Sequence, residues 1–231
     1  ETGSLSAKGG ASGGNGGFIE TSGKAYLDVT TTPDASAAAG NAGSWLIDPN
    51  NLTIAAADAF ISTSPNTPIA GTTTYATTAD SATISTTTIV NALVAGTNVV
   101  VTTSAGGAQA GDITFTGGIS KTTGAAATTL SIKAHNNLTV GQAISASGTS
   151  GALNVELVAD LDNSGSGTLA INNAVTTFGG SLTGTGAAIS GTGNVSTVGK
   201  TGAAGGNVTL TAASAGSVNL SGTITTSGGT A

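Results

Sequence analysis

The amino-acid sequence predicts an all-β fold, a right-handed parallel β-helix with one short helix near residues 88–95. Three observations predict it. Two interleaved sets of apolar residues repeat along the second half of the chain, the apolar residues alternate with polar ones, and glycine-rich turns separate the repeats. We expect residues 1–231 to form one β-helical segment, with an irregular insertion over residues 55–97 that contains the helix. The opening Glu1-Thr2-Gly3 resembles a remnant of a cloning vector.

The repeats predict two strands per coil. In one set an apolar residue is followed six positions later by Ile or Val, and this set begins at Ile113, Leu138, Leu169, Ile189 and Val218. The other set precedes it in strict alternation and begins at Val99, Leu130, Leu153, Leu182 and Val208. Both sets advance by about 26 residues per repeat, which lies within the range of solenoid repeats. We therefore expect roughly eight or nine coils and, at ~4.8 Å per strand layer, a rod about 40 Å long.

The interior of these coils should hold Val, Ile, Leu and Ala, with Phe115 and Phe178 as larger fillers. In the first hundred residues, Trp45–Ile54 predicts two strands joined by a turn at Pro49, because proline disfavours helix at the residue before it. Residues 31–43 are expected to form a loop and residues 61–82 an excursion from the coil.

The helix is predicted over Thr88–Ala95. Thr87 or Thr88 can cap its first turn, and Gly96 is placed to end it. Its apolar residues fall on one face, which predicts packing against the coil.

Composition narrows the function classes. Of the 231 residues only 7% are charged and 3% aromatic, and the formal net charge is −6. Such a chain repels phosphate and offers few side chains for base stacking, so we expect no nucleic-acid partner. The absence of cysteine excludes disulfide bonds and thiolate metal sites. A β-sandwich is the main rival fold, but its core usually needs more aromatic residues.

Two linked motifs carry a family resemblance. GGNGGFIETSGKAYLDV at 13–29 is followed by WLIDPNNLTI at 45–54, and NVVVTTS follows at 98–104. Together they resemble the passenger proteins of bacterial two-partner secretion, the filamentous haemagglutinin and high-molecular-weight adhesin family, over residues 7–145. The resemblance implies a segment of a long β-helical filament that a dedicated outer-membrane transporter exports. Asp48-Pro49-Asn50-Asn51-Leu52 differs from the Asn-Pro-Asn-Leu signature of the family's secretion domain, so we expect an internal segment without transport recognition.

The resemblance predicts a structural and adhesive segment of a secreted bacterial surface adhesin, a virulence-associated protein that attaches to host cells or surfaces. Its expected partners are a host-surface glycan or protein receptor and, for the parent protein, the outer-membrane transporter. We expect a monomer, and binding through residues 55–84 or the loop around Asn163–Gly167. One alternative is the inert stalk of a contact-dependent toxin delivery protein. Another is a carbohydrate-active β-helix enzyme.

Glu156, Asp160 and Asp162 form the closest acidic cluster. Their even spacing would place all three on one face of an extended strand, and paired carboxylates can hydrolyse glycosides. Lys133 lies about one repeat earlier, so coil stacking could bring it beside Glu156 as an ion pair. His135, the one histidine, is expected in a turn. We expect none of these residues to be catalytic.

We expect neither a cofactor nor a metal. Calcium-binding repeats need an aspartate that the glycine run at 13–17 lacks. Five Asn-x-Ser/Thr motifs supply candidate glycosylation acceptors, namely Asn51, Asn137, Asn194, Asn207 and Asn219. The alternative is that such asparagines form amide ladders between coils.

Overall fold

The computed structural model describes residues 3–23, 31–56, 67–68, 75–76, 81–104, 109–213 and 215–230. These residues form a parallel β-solenoid of about six turns, which confirms the predicted fold class. Three sheets run along its axis, and each regular coil contributes one strand to each sheet in the same order. The right-handed winding stays a prediction, based on the strong preference of parallel crossovers for that hand.

The first sheet contains β1 (Phe18–Ser22), β2 (Ser44–Asp48), β7 (Asn98–Thr102), β10 (Thr128–Lys133), β13 (Leu153–Val158), β16 (Leu182–Gly186) and β19 (Val208–Ala212). The second contains β6 (Ser81–Ser85), β3 (Asn51–Ala55), β8 (Ile113–Phe115), β11 (Leu138–Val140), β14 (Thr168–Ile171), β17 (Ala188–Gly191) and β20 (Val218–Leu220). The third contains β9 (Ile119–Lys121), β12 (Ile144–Ala146), β15 (Val175–Thr176), β18 (Val195–Ser196) and β21 (Ile224–Thr225). Two short strands, β4 (Thr67–Pro68) and β5 (Tyr75–Ala76), pair antiparallel to each other.

The strand register follows the predicted repeats. The first residues of one set stack on successive coils of the second sheet, in the order Ile113, Leu138, Leu169, Ile189 and Val218. The Ile or Val residues six positions later stack in the third sheet, in the order Ile119, Ile144, Val175, Val195 and Ile224. The set that begins at Val99 is misaligned at Leu153. In the structure Leu130 pairs with Val155, and Leu153 pairs with Thr128, two residues before Leu130.

The predicted number of coils is wrong. Each long sheet has seven strands, so about six turns replace the expected eight or nine. Residues 31–43 contain no strand beyond an isolated bridge at Asp34, as expected for a loop. Between β3 and β7 the described chain adds only β6 to the second sheet, the β4–β5 pair and a helix. Most of the predicted excursion over 61–82 lies outside the described residues.

The interior is aliphatic, as predicted, but its large fillers differ. Phe115 is 1% exposed and Trp45 is fully buried. The indole nitrogen of Trp45 donates a hydrogen bond to Thr21 Oγ1 at 2.9 Å, which satisfies its polar atom inside the coil. Phe178 is only half-buried and lies at the rim, where its backbone has φ 56° and Lys200 Nζ sits 5.2 Å from the ring centroid. The prediction that Phe178 fills the core is therefore wrong.

The helix α1 (Thr86–Val94) begins two residues earlier than predicted, because Ser85 is its N-cap. The Ser85 hydroxyl accepts a hydrogen bond from the Thr87 amide at 3.1 Å. Ile89 and Leu93 are fully buried, and α1 packs against β9, the outermost strand of the third sheet. Gly96 follows the helix with φ 89°, a conformation that glycine adopts without steric cost. No helix in the described part of the chain is long and apolar enough to cross a membrane.

A buried lysine at the end of β9 ties three segments together. Lys121 is fully buried, and its ammonium donates to the carbonyl oxygens of Gly124, Ala126 and Gly151 at 3.2, 2.8 and 3.2 Å. Burial lowers the pKa of Lys121, and the charge of Lys200 adds a smaller effect in the same direction. The three hydrogen bonds fasten the loop after β9 to the following coil.

We expect Lys121→Met to lower the free energy of unfolding by about 2 kcal/mol, because it removes three hydrogen bonds from a charged donor and leaves the buried carbonyl of Gly151 without that donor. The carbonyl of Gly124 still accepts from the Gly151 amide. Lys8→Met is the matched control, since Lys8 is exposed and its ion pair with Asp34 contributes at most about 1 kcal/mol. Urea unfolding at pH 7 measures both. Equal stability of Lys121→Met and the unchanged chain would show that the hydrogen bonds from Lys121 to the three carbonyl groups do not stabilise the fold.

Candidate functional site

A projecting loop joins β13 to β14 at the corner between the first and second sheets. We call residues 159–167 the corner loop; the side chains from Leu161 to Ser166 are exposed. Two residues in it that are not glycine, Asp160 and Asn163, have positive φ angles of 58° and 55°. Such conformations are costly for ordinary residues and persist only where the surroundings impose them.

Asp160 holds the corner loop in shape. It is 6% exposed, and its carboxylate accepts hydrogen bonds from the Ser164 hydroxyl at 2.7 Å and the Gly165 amide at 3.0 Å. Burial by itself raises the pKa of Asp160, but these hydrogen bonds to the charged form outweigh it and hold the pKa below its ordinary value of 3.8. The carboxylate is therefore a structural acceptor inside the loop.

Further contacts fix the corner loop to the preceding coil. The amides of Asp160 and Leu161 donate to the carbonyl oxygens of Asn136 and Ala134 at 2.9 and 3.2 Å. Asp162 Oδ2 lies 3.6 Å from His135 Nε2. His135 lies in the turn between β10 and β11, as predicted. The loop is thus anchored by its backbone as well as by its side chains.

The predicted acidic cluster is only partly correct. Lys133 Nζ and Glu156 Oε2 form an ion pair of 3.1 Å between coils, which confirms the geometry expected from their spacing. The expectation that Glu156, Asp160 and Asp162 share one strand face is wrong, because β13 ends at Val158 and the chain turns at Asp160. Glu156 faces outward, Asp160 is buried and Asp162 lies on the exposed loop.

A groove lies between the corner loop and the outer face of the first sheet. Its volume is about 320 Å³. The floor is a column of outward residues on three successive coils, Val158, Thr185 and Thr211. Leu161 and Asn163 of the corner loop form one wall. We call this cavity the corner groove.

Leu161 is the one exposed large apolar residue of the described chain that lies away from both ends of the solenoid. It is 39% exposed, and the other exposed large apolar residues of the described chain belong to its first or last coil. These residues are Leu5, Phe18, Val218 and Ile224. A loop that is positioned by a regular scaffold is a common location for binding residues, so Leu161 is a candidate contact beside the groove.

Three of the five predicted glycosylation acceptors connect neighbouring coils. Asn51 Oδ1 accepts from the amides of Gly111 and Asp112, both at 2.9 Å. Asn137 and Asn194 accept in the same way from Thr168 and Thr223, also at 2.9 Å.

Asparagines outside the motif make the same contact. Asn98 and Asn154 accept from the amides of Thr129 and Ser181 at 2.7 and 3.0 Å. An asparagine at these positions therefore has a structural role that is independent of the motif. Asn207 and Asn219 lie exposed in the last coil. Modification of any of the five acceptors stays a prediction.

Two polar residues with unusual burial, Asp48 and Asn50, lie at the end of β2 and in the turn after it. Burial, together with the charge of Glu20, raises the pKa of Asp48. Asp48 Oδ1 and Asn50 Nδ2 are buried without a hydrogen-bond partner. In the described residues no group of three or more His, Asp or Glu side chains could hold a metal ion.

Neither models of known protein families nor curated protein sequences match this chain.

We expect Asp160→Asn to lower the free energy of unfolding by about 1–2 kcal/mol at pH 7, since it removes a charged acceptor while asparagine still tolerates the positive φ. The folded-state pKa of Asp160 is depressed, so this contribution is complete above about pH 4 and is lost as the pH falls through the folded value. Denaturant titrations of both proteins at pH 7 and pH 3 measure it. Asp162→Asn is the control and should cost at most about 1 kcal/mol. A difference that persists undiminished at pH 3 would contradict the assigned role of the carboxylate.

Proposed function

We propose that the chain is a structural and adhesive segment of a secreted bacterial surface adhesin, which attaches to host cells or surfaces. The observation that carries the proposal is a rigid solenoid that presents an anchored loop and a groove on its outer face. Solenoids stack their coils into extended surfaces that other molecules can bind. The partner is a glycan or protein on the host surface, and an outer-membrane two-partner-secretion transporter exports the parent protein.

The two resembling motifs are neighbours in the coil, which supports their use as one signature. The first motif contains β1, and the second contains β2, the turn at Pro49 and β3. Strands β1 and β2 pair in parallel with Phe18 opposite Ser44 and Ser22 opposite Asp48. The pairing of β1 with β2 therefore gives a structural reason for both motifs to occur together.

The contacts of the acidic residues favour adhesion over glycoside hydrolysis. A general acid needs a raised pKa, whereas the pKa of Asp160 is lowered. Glu156 pairs with Lys133, and Asp162 lies beside His135. Each carboxylate thus has a partner inside the protein.

The inert stalk is the second candidate. A stalk needs only stacked coils, so an inert stalk does not require the loop in which Leu161 is exposed to solvent. Binding by the isolated chain therefore separates the two candidates.

The test is binding of the fluorescently labelled chain to a panel of cultured epithelial cells. We expect saturable binding that unlabelled chain competes away and that heat-unfolded chain does not show. Absence of binding to every cell type in the panel would favour the stalk. Release of reducing sugar from polysaccharides, abolished by Glu156→Gln in a folded protein, would favour the enzyme.

A further inference from the structure

We propose that the corner groove is a binding site for a short, uncharged saccharide. The inference rests on the proposed function, because it identifies the surface and the ligand class through which the segment would attach. It goes beyond that function in naming the residues, and in excluding acidic sugars as the ligand of this site.

The groove is preorganised. The buried carboxylate of Asp160 and the backbone hydrogen bonds to the preceding coil fix the corner loop before any ligand arrives. The floor residues Val158, Thr185 and Thr211 stand on strands held in register. Little conformational entropy is therefore lost when a ligand binds, which matters most for weakly binding ligands such as short saccharides.

The charged groups around the groove are engaged within the protein. Lys133 contacts Glu156, His135 contacts Asp162, and Asp160 is occupied by the corner loop itself. Among the described residues no lysine or histidine lines the groove, and the nearby Lys133 and His135 each face a carboxylate. Sialylated, sulfated and phosphorylated ligands are accordingly disfavoured.

The groups that remain suit a sugar. In the described part of the chain, the side chains of Asn163, Thr185 and Thr211 make no hydrogen bond, and each supplies both a donor and an acceptor. Leu161 and Val158 add aliphatic surface beside them. A saccharide ring presents hydroxyls at its rim and C–H groups on its faces, so this mixture of neutral polar and aliphatic groups matches it.

An extended peptide fits the groove less well. Peptides that add to a sheet need an unpaired strand edge, whereas β13 and β16 are paired on both sides. The volume of about 320 Å³ lies at the lower end of ligand sites and suits a short saccharide.

The test is an array of immobilised neutral oligosaccharides, acidic oligosaccharides and synthetic peptides, probed with the labelled chain. The bound sugar is then titrated by saturation-transfer NMR. Leu161→Ser and Thr185→Val alter the groove. Leu5→Ser is the matched control for the first, because Leu5 is 38% exposed and Leu161 39%. Thr183→Val is the control for the second, since Thr183 lies on the same strand and face outside the groove.

We expect binding to neutral saccharides that weakens at least tenfold in Leu161→Ser and Thr185→Val and changes less than twofold in both controls. Thermal unfolding of all four variants checks that each is folded. Binding confined to acidic sugars or peptides, or neutral-sugar binding that the groove variants leave intact, would overturn the proposal.

The cell and sugar assays together separate the two proposals. Cell binding without any binding of neutral saccharides would refute the groove site and leave the adhesive function standing. If the unchanged chain binds neither cells nor sugars, both proposals are refuted.

Discussion

The structure depends on one repeated hydrogen bond between coils. The amide of a core-facing residue donates to a carbonyl oxygen of the next coil, as Ile113 does to Asn137 at 2.9 Å and Val195 does to Thr223 at 2.8 Å. Because every coil repeats this bond in register, like side chains stack on like, and aliphatic residues fill the interior without large aromatic clusters. The asparagines that accept from the next coil extend the same interaction to the side chains.

Stacking in register is also the reason that much of the fold could be predicted. A residue and its partner on the next coil are one repeat apart in sequence, so the second-sheet column from Ile113 to Val218 follows from spacing. Lys133 pairs with Val158 in the register, and its ion pair with Glu156 reaches diagonally across the two strands. Leu153 was aligned two residues too early because buried and outward residues alternate along the whole of β13. Val155 therefore matches the apolar repeat as well as Leu153 does. The predicted number of coils was too high because the described residues between β3 and β7 add one strand, β6, to the second sheet, one short antiparallel pair and a helix.

Only the loop around Asn163–Gly167 could be predicted as part of the candidate site, because the rest of its geometry depends on backbone that leaves the coil. Nothing in the spacing of Glu156, Asp160 and Asp162 shows that the chain turns at a positive φ after β13. The acceptors of Lys121 are backbone carbonyl groups, which every residue carries, so the sequence does not show which of them Lys121 contacts. The sequence predicted binding at the loop around Asn163–Gly167, where residues 163–166 are exposed, but it did not predict the outward position of Leu161.

The central claim is the register of the coils, and engineered disulfides test it most directly because the chain has no cysteine. Thr114 pairs with Thr139, and Thr139 pairs with Ala170 on the following coil. Neighbouring coils lie about 4.8 Å apart, within reach of a disulfide, whereas residues two coils apart are not. We expect Thr114→Cys with Thr139→Cys to form an intramolecular disulfide under mild oxidation, detected by mass spectrometry, and Thr114→Cys with Ala170→Cys to remain reduced. A disulfide in the second protein and none in the first would contradict the register.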